Sequence, residues 1–258
     1  MTRKWFVGAA LASLAIAGVV SGIRTEPAAA QEALDRAQVE TIIREYLLAN
    51  PEIMIEVQAE LEKKQEAAQR LASVDAIRAS KAEIFDSALD GVIGNPNGKT
   101  TVVEFYDYNC GFCRQALPDM QALAASDPDL RVVLKEFPIL GPDSQKAHLV
   151  SMAFRSLMPE KYGEFHKRLL GSEGRAGEAS AIELAVSLGA DEAKLREAME
   201  DPAIMAAFQQ TYELANRLGI NGTPAYVMGD QVVSGALGLD VMREKVAEVR
   251  ACTDAGTC

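Results

Sequence analysis

The chain has little histidine, little cysteine and no excess of basic residues, and each of these features limits the functions that it could have. Its two histidines, His148 and His166, lie far in sequence from the first pair of cysteines, so a histidine-rich metal site is not expected. Lys and Arg total 26 against 37 Asp and Glu, which gives a formal net charge of -11. This acidity argues against nucleic-acid binding, which needs basic patches. The four cysteines form two close pairs, which fits an oxidising compartment.

Long apolar runs are also scarce, and the one that occurs lies at the N-terminus. Arg3 and Lys4 precede an apolar stretch that reaches about Val20, and Ala28-Ala29-Ala30 follows a short polar stretch. Basic, apolar and small residues in this order predict a secretory signal peptide over residues 1–30. An uncleaved signal anchor is the alternative, because the apolar stretch approaches the ~20 residues that span a bilayer.

Residues 31–84 are predicted to form a helical oligomerisation segment. Apolar side chains recur there at helical spacing, at Val39, Ile42, Ile43, Tyr46 and Leu47. Asn50-Pro51-Glu52 predicts a break and a restart, after which a long and highly charged helix follows. A narrow apolar stripe on such a helix needs a partner, which favours a homo-oligomer. The alternative is a helix that lies along its own domain, and the sequence does not fix the number of subunits.

One pair of cysteines lies between a predicted strand and a predicted helix. Residues 100–106, TTVVEFY, are β-branched and aromatic, which predicts a buried strand. The spacing of Cys110 and Cys113 places both sulfurs on the first turn of the next helix, where free N–H groups favour a thiolate. Cys110 is therefore the expected attacking sulfur, and Cys113 the resolving one. A zinc half-site would need a second ligand pair, and a purely structural disulfide here would stabilise little.

The rest of the pattern predicts an α/β domain over residues 85–251 that contains a helical insertion over about 142–218. The predicted order is β-α-β, then the helices of the insertion, then β-β-α, with strands near 91–93, 100–106, 130–137, 225–228 and 231–233 and a last helix over 239–251. Residues 252–258 are expected to form a tail. Its Cys252 and Cys258 are close enough in sequence to be a candidate structural disulfide.

Two motifs resemble the active site of DsbA-like proteins, which have the thioredoxin fold. They are Tyr108-Asn109-Cys110-Gly111-Phe112-Cys113 and Gly222-Thr223-Pro224-Ala225. The resemblance implies a thioredoxin fold with the helical insertion, a cis peptide bond at Pro224 and a proline loop that faces the cysteines. It further implies that substrate-binding residues are Gly111, Phe112, Thr223 and Pro224. It implies neither a cofactor nor a metal.

The same resemblance implies a catalytic role for Glu104, which lies six positions before Cys110. Lys135, in the predicted strand 130–137, is its expected partner. A buried carboxylate near the sulfurs would take up or release the proton that thiol exchange moves. The alternative is an ion pair that only satisfies its own charges.

One departure from DsbA separates the functional hypotheses. DsbA has a histidine between its cysteines, whereas this chain has Gly111-Phe112, which implies a weaker oxidant. The N-terminal segment is similar to that of the oligomeric copper-tolerance branch, the ScsC type. This resemblance implies a periplasmic isomerase or reductase that acts on disulfides of exported proteins and is kept reduced by a membrane partner. The alternatives are a dithiol oxidase and a non-enzymatic Cu(I)- or client-binding envelope protein.

Overall fold

The computed structural model describes residues 35–254 of the chain. The predicted signal peptide and Cys258 lie outside the described residues. Within the described part, no helix is long and apolar enough to cross a membrane. By the density of its internal contacts, the chain divides into two units, residues 1–58 and 59–258.

The chain before the sheet is mostly helical, and the first unit contains one whole helix and the start of a second. Helix α1 (Arg36–Ala49) begins with a capping box, in which Asp35 accepts from the Gln38 N–H and the Gln38 side chain accepts from the Asp35 N–H. The predicted break follows at Asn50, which closes α1, since its side chain donates to the Tyr46 carbonyl at 2.8 Å. Helix α2 (Ile53–Ala79) then starts, and α3 (Lys81–Phe85) comes after it.

Five strands form one sheet in the second unit. They are β1 (Gly91–Gly94), β2 (Thr100–Tyr106), β3 (Leu130–Glu136), β4 (Ala225–Met228) and β5 (Gln231–Ser234), in the spatial order β1-β3-β2-β4-β5. The central pair β2–β3 is parallel, and the other three pairs are antiparallel. The strand predicted over 100–106 is confirmed to the residue, and the predicted α/β order is confirmed as well.

Helices connect and cover these strands. They are α4 (Gly111–Ser126), α5 (Pro142–Leu157), α6 (Tyr162–Leu170), α7 (Glu178–Ser187), α8 (Glu192–Met199), α9 (Pro202–Leu218) and α10 (Leu239–Asp254), with a 3-10 turn at Pro159–Lys161. Local signals set the ends of α9, where Asp201 caps the start and Gly219 takes a left-handed conformation at φ 71°. Helices α5 to α9 make up the predicted insertion between β3 and β4.

The two faces of the sheet carry different cores. Side chains alternate along β2, so Val102 and Tyr106 point to one face, while Val103 and Phe105 point to the other. We call these the Tyr106 face and the Phe105 face. The Tyr106 face packs against α4, α10 and much of the insertion, whereas the Phe105 face packs against the end of α2, α3 and α9.

The last helix is longer than the sequence predicts. Helix α10 extends to Asp254, so Cys252, which was expected in a tail, lies within its last turn. Cys252 is disulfide-bonded. Because Cys258 lies outside the described residues, the predicted pairing of these two cysteines stays a prediction.

Candidate active site

The cysteine pair lies where β2 passes into α4. After the strand ends at Tyr106, a short turn leads to Cys110, which is the N-cap residue of α4. Its Sγ accepts from the Cys113 N–H at 3.3 Å, as an N-cap side chain usually accepts from an N–H group in the first turn of its helix. Both cysteines are free thiols, and Cys113 is fully buried one turn into the helix. The predicted placement of both sulfurs at a helix N-terminus is therefore found in the structure.

The two thiols have opposite acidities. The pKa of Cys110 is lowered from 9.0 to about 6, mainly by a hydrogen bond from the Cys113 thiol and against the effect of partial burial. Contacts with Thr223 and with the backbone N–H groups of Cys113 and Phe112 contribute to the same lowering. Burial, by contrast, raises the pKa of Cys113 far above its ordinary value. At neutral pH Cys110 is therefore a thiolate and nucleophile, while Cys113 holds its proton.

The proline loop before β4 closes over the first sulfur. The Thr223–Pro224 peptide bond is cis, as predicted. The Thr223 carbonyl accepts from Cys110 Sγ at 3.1 Å, so the loop faces the cysteine pair. Gly111 and Phe112 are exposed beside it, with 64% of Phe112 accessible to solvent. These four residues surround the reactive sulfur, and their role in binding substrate stays a prediction.

Glu104 is buried on the Tyr106 face, only 3% exposed. The Tyr226 hydroxyl on β4 lies 3.4 Å from its Oε1 and donates to it. The pKa of Glu104 is raised from 4.5 to about 8, mainly by burial; the hydrogen bond from Tyr226 lowers it in part, and the charge of Cys110 contributes to the rise. Glu104 is also one of the groups that raise the pKa of Cys113. This carboxyl therefore holds a proton near neutral pH, and it is close enough to both sulfurs to interact with them electrostatically.

The predicted pair between Glu104 and Lys135 is wrong. In the parallel ladder, Glu104 lies opposite Leu134, and Lys135 lies opposite Phe105. Because side chains alternate, Lys135 points to the Phe105 face, on the far side of the sheet from the cysteines. There its ammonium group donates to Asp90 and to the Glu83 carbonyl. Lys135 and Asp90 are 3% and 6% exposed, so they form a buried ion pair in the scaffold.

The turn before Cys110 carries residues that sequence reasoning missed. Asp107 is fully buried and accepts from the Ser144 hydroxyl at 2.8 Å and from the Leu140 N–H at 2.9 Å. The Asn109 amide donates to Ser144 and to the Ala176 carbonyl, both at 2.9 Å. These partners lie beyond β3, and no local pattern in the sequence connects them with the turn. The insertion therefore holds the chain immediately before the reactive sulfur.

The two histidines, for which the sequence predicts no histidine-rich metal site, are buried on the Tyr106 face. His148 on α5 contacts Glu136 and the backbone of Tyr108. Among residues 35–254, no group of three or more His, Cys, Asp or Glu side chains is arranged to hold a metal ion.

Family models match two parts of the chain. A model described as the DSBA-like thioredoxin domain matches residues 101–247, which is more than half of the chain. A second model, described as the N-terminal domain of the copper resistance protein ScsC, matches residues 35–68.

Solved structures show the same two relationships. A thioredoxin-like oxidoreductase from Silicibacter pomeroyi is 38% identical, with a TM-score of 0.63, over 66% of this chain and 97% of that one. A linker-deletion variant of ScsC from Proteus mirabilis is 28% identical, with a TM-score of 0.66. That match covers 86% of this chain and 99% of the other, so it includes helices before the catalytic domain.

Curated relatives are matched over part of their length. The thiol:disulfide interchange protein DsbA of Bordetella parapertussis is 29% identical over 146 residues, which are 53% of this chain and 66% of the relative. Two Na(+)/H(+) antiporters of Salinispora match at 23% identity, and this chain spans only 25% and 26% of them.

Proposed function

Because the chain belongs to the DSBA-like thioredoxin family, we propose that it is a periplasmic thiol–disulfide oxidoreductase that isomerises and reduces disulfides of exported proteins. The observation that carries the proposal is the placement of Cys110. Its sulfur caps α4, accepts from the Cys113 N–H at 3.3 Å and lies 3.1 Å from the Thr223 carbonyl. The N–H groups at the start of α4 stabilise a thiolate at Cys110, and the Thr223–Pro224 loop lies beside this sulfur, where an extended substrate would bind.

The reaction follows from the two acidities. The Cys110 thiolate attacks one sulfur of a substrate disulfide, which forms a mixed disulfide and expels the other substrate sulfur as a thiolate. If a second substrate thiol then attacks the mixed disulfide, Cys110 is released and the substrate has been isomerised without net electron transfer. If Cys113 attacks Cys110 instead, a Cys110–Cys113 disulfide forms and the substrate leaves with two thiols.

That resolving attack needs a proton acceptor, because Cys113 holds its proton at neutral pH. We assign this role to Glu104, whose pKa of about 8 makes exchange feasible close to neutrality. In its ionised form the carboxylate accepts the Cys113 proton as the sulfur attacks. Tyr226, which donates to the same carboxyl, keeps it oriented. Lys135 has no part in this step, since it lies on the other face of the sheet.

The acidity of Cys110 supports isomerase or reductase over oxidase activity. A strongly stabilised thiolate makes the disulfide form oxidising, as in DsbA at a pKa of ~3.5, whereas thioredoxin has ~7. The pKa of Cys110, about 6, is closer to that of thioredoxin. Gly111 and Phe112 add no cation between the sulfurs. We therefore propose that a membrane redox partner returns the pair to its dithiol form.

Helix α1 supports an oligomer. None of its residues is buried, and large apolar side chains stand in solvent, including Ile42, Ile43 and Tyr46 at 51%, 53% and 58% exposure. Burying one such side chain gains roughly 1.5–3 kcal/mol. The same residues lie within the match to the ScsC N-terminal domain. We propose that copies of this helix cover one another in a homo-oligomer.

Reactivation of scrambled ribonuclease by residues 31–258 tests the function. We expect strong reactivation, its loss in Cys110→Ala, and a partial loss in Cys113→Ala, since that variant still attacks but does not release trapped intermediates. A parallel assay follows oxidation of reduced ribonuclease. Fast oxidation without reactivation would contradict isomerase activity and support the dithiol oxidase instead. Inactivity in both assays, with Cu(I) bound by wild type and not by Cys110→Ser, would favour the binding protein.

A further inference from the structure

The turn before Cys110 has a third anchor, which is the side chain of His148. This histidine lies on α5 and is completely buried. Its Nε2 accepts from the Tyr108 N–H at 3.1 Å, two residues before the reactive sulfur. Its Nδ1 is hydrogen-bonded to the carboxylate of Glu136, at the end of β3. One imidazole therefore bridges the sheet and the turn that delivers Cys110.

The two hydrogen bonds define the protonation of the ring. A nitrogen that accepts from a backbone N–H carries no proton, so the proton of His148 lies on Nδ1, where it is donated to Glu136. Glu136 also accepts from the Ser151 hydroxyl at 2.8 Å and from the Tyr162 hydroxyl at 3.2 Å. This set of donors holds the carboxylate, and the carboxylate in turn orients the imidazole. The acceptor nitrogen is thus presented to Tyr108 by a fully buried network.

We infer that His148 is a positioning residue, which holds the backbone of residues 107–109 so that Cys110 Sγ stays at the N-terminus of α4. The inference rests on the proposed function, because it concerns the reactivity of the same thiol. The turn itself is closed by a hydrogen bond from the Cys110 N–H to the Asp107 carbonyl at 3.0 Å. Tyr108 lies inside this turn, and a displacement of its backbone moves Cys110 with it.

The contact that stabilises the thiolate is sensitive to such movement. Cys110 Sγ lies 3.3 Å from the Cys113 N–H, and helix-terminal effects fall off within one turn. Removing the imidazole leaves the Tyr108 N–H buried without an acceptor, which the chain relieves by shifting the turn. The sulfur then moves away from the helix N-terminus, and the thiolate loses stabilisation while the fold persists.

His166 provides a matched control. It is also buried, at 2% exposure, and packs on the same ring, with Tyr106 centroid distances of 4.7 Å for His166 and 5.2 Å for His148. Within the part of the chain that the structure describes, its Nδ1 has no hydrogen-bond partner. Replacing His166 with Leu therefore removes a similar ring, which also packs on the Tyr108 ring at 5.8 Å, and leaves the hydrogen bond from the Tyr108 N–H to His148 in place.

The test uses residues 31–258 and compares wild type with His148→Leu, His148→Gln and His166→Leu. The readouts are the pH profile of Cys110 alkylation and the equilibrium with glutathione. In His148→Leu we expect the alkylation midpoint to rise and the dithiol–disulfide equilibrium to shift about tenfold toward the disulfide, which is a potential lower by about 30 mV. His148→Gln keeps an acceptor near Tyr108 and is expected to restore most of both values. His166→Leu is expected to match wild type.

Two results overturn the inference. One is an unchanged alkylation midpoint and equilibrium in folded His148→Leu, and the other is an equal shift in His166→Leu, which would mean general loosening of the core. If His148→Leu does not fold, Glu136→Gln is tested in its place, since it removes the charge that orients the imidazole. An unchanged alkylation midpoint and an unchanged equilibrium in Glu136→Gln would then overturn the inference. Absence of glutathione exchange in wild type would instead contradict the proposed function. The alkylation profile would still test whether His148 positions Cys110.

Discussion

Replacing Glu104 with Gln is expected to stabilise the protein increasingly as the pH rises. Burial raises the pKa of Glu104 from 4.5 to about 8. Between these values the unfolded chain has released the proton, whereas the folded chain still holds it. The unfolded state therefore binds fewer protons, and the free energy of unfolding of the wild type falls across this window. The Glu104→Gln variant has no proton to lose at this position.

The size of the effect follows from linkage, at about 1.4 kcal/mol per pKa unit. Relative to wild type, the free energy of unfolding of Glu104→Gln should rise by roughly 2–3 kcal/mol from about pH 5 to about pH 7. A further rise of about 1 kcal/mol is expected by about pH 9, because the trend levels off once folded Glu104 ionises near its pKa of about 8. The absolute offset depends on how well the Gln amide replaces the contact with Tyr226, so the trend with pH is the test.

Urea denaturation at three pH values measures this trend. The disulfide form of both proteins is used, because thiolates then make no contribution to the pH dependence. Burial, the largest cause of the raised pKa of Glu104, is retained in this form, whereas the smaller effect of the Cys110 charge is removed. Glu160→Gln removes an exposed carboxylate and serves as the control, for which we expect no trend. A difference between Glu104→Gln and wild type that stays constant from about pH 5 to about pH 9 would refute the reasoning.

Three further predictions concern the thiols, the scaffold and the first helix. Alkylation of Cys110 should accelerate through about pH 6 and level off above it, while Cys113 stays unreactive in the native protein; a midpoint near the ordinary thiol value would contradict this. Lys135→Met should lower the free energy of unfolding in urea by about 3 kcal/mol, because buried Asp90 loses its partner, and adding Asp90→Asn should recover most of the loss. Neither change should move the alkylation midpoint of Cys110, and a shift in it would mean that Lys135 acts on the site. Ile43→Glu should reduce the mass measured by light scattering without changing exchange with a small disulfide, and an unchanged mass would count against α1 as the interface.

Local sequence patterns predicted much of the fold. The β-branched and aromatic run of β2 predicted the strand to the residue, because a buried strand has a short, dense signature. The cysteine spacing at a strand–helix junction placed both sulfurs on the first turn of α4. The cis bond and the loop that faces Cys110 were implied by the resemblance of the motif at Thr223 and Pro224 to DsbA-like proteins. The strand and cysteine signals, by contrast, lie within a few residues of the features they predict.

Register and long-range contacts were decided by the tertiary structure. The partner of Lys135 depends on how β2 aligns with β3, and a shift of one residue moves a side chain to the opposite face of the sheet. Sequence reasoning located the lysine in the right strand and could not assign its face. The same limit applies to Glu104, whose actual partner, Tyr226, comes from β4 at the other end of the chain.

The sequence by itself determined the chemistry of this protein, and the tertiary structure decided what supports it. A dithiol at a helix N-terminus needs only neighbouring residues, so Cys110 and Cys113 are identified by spacing alone. The residues that hold this dithiol in place, such as Ser144 and His148, come from a distant helix. Their contacts form only when the insertion packs onto the sheet, because a buried N–H or carboxylate takes its partner from whichever element covers it.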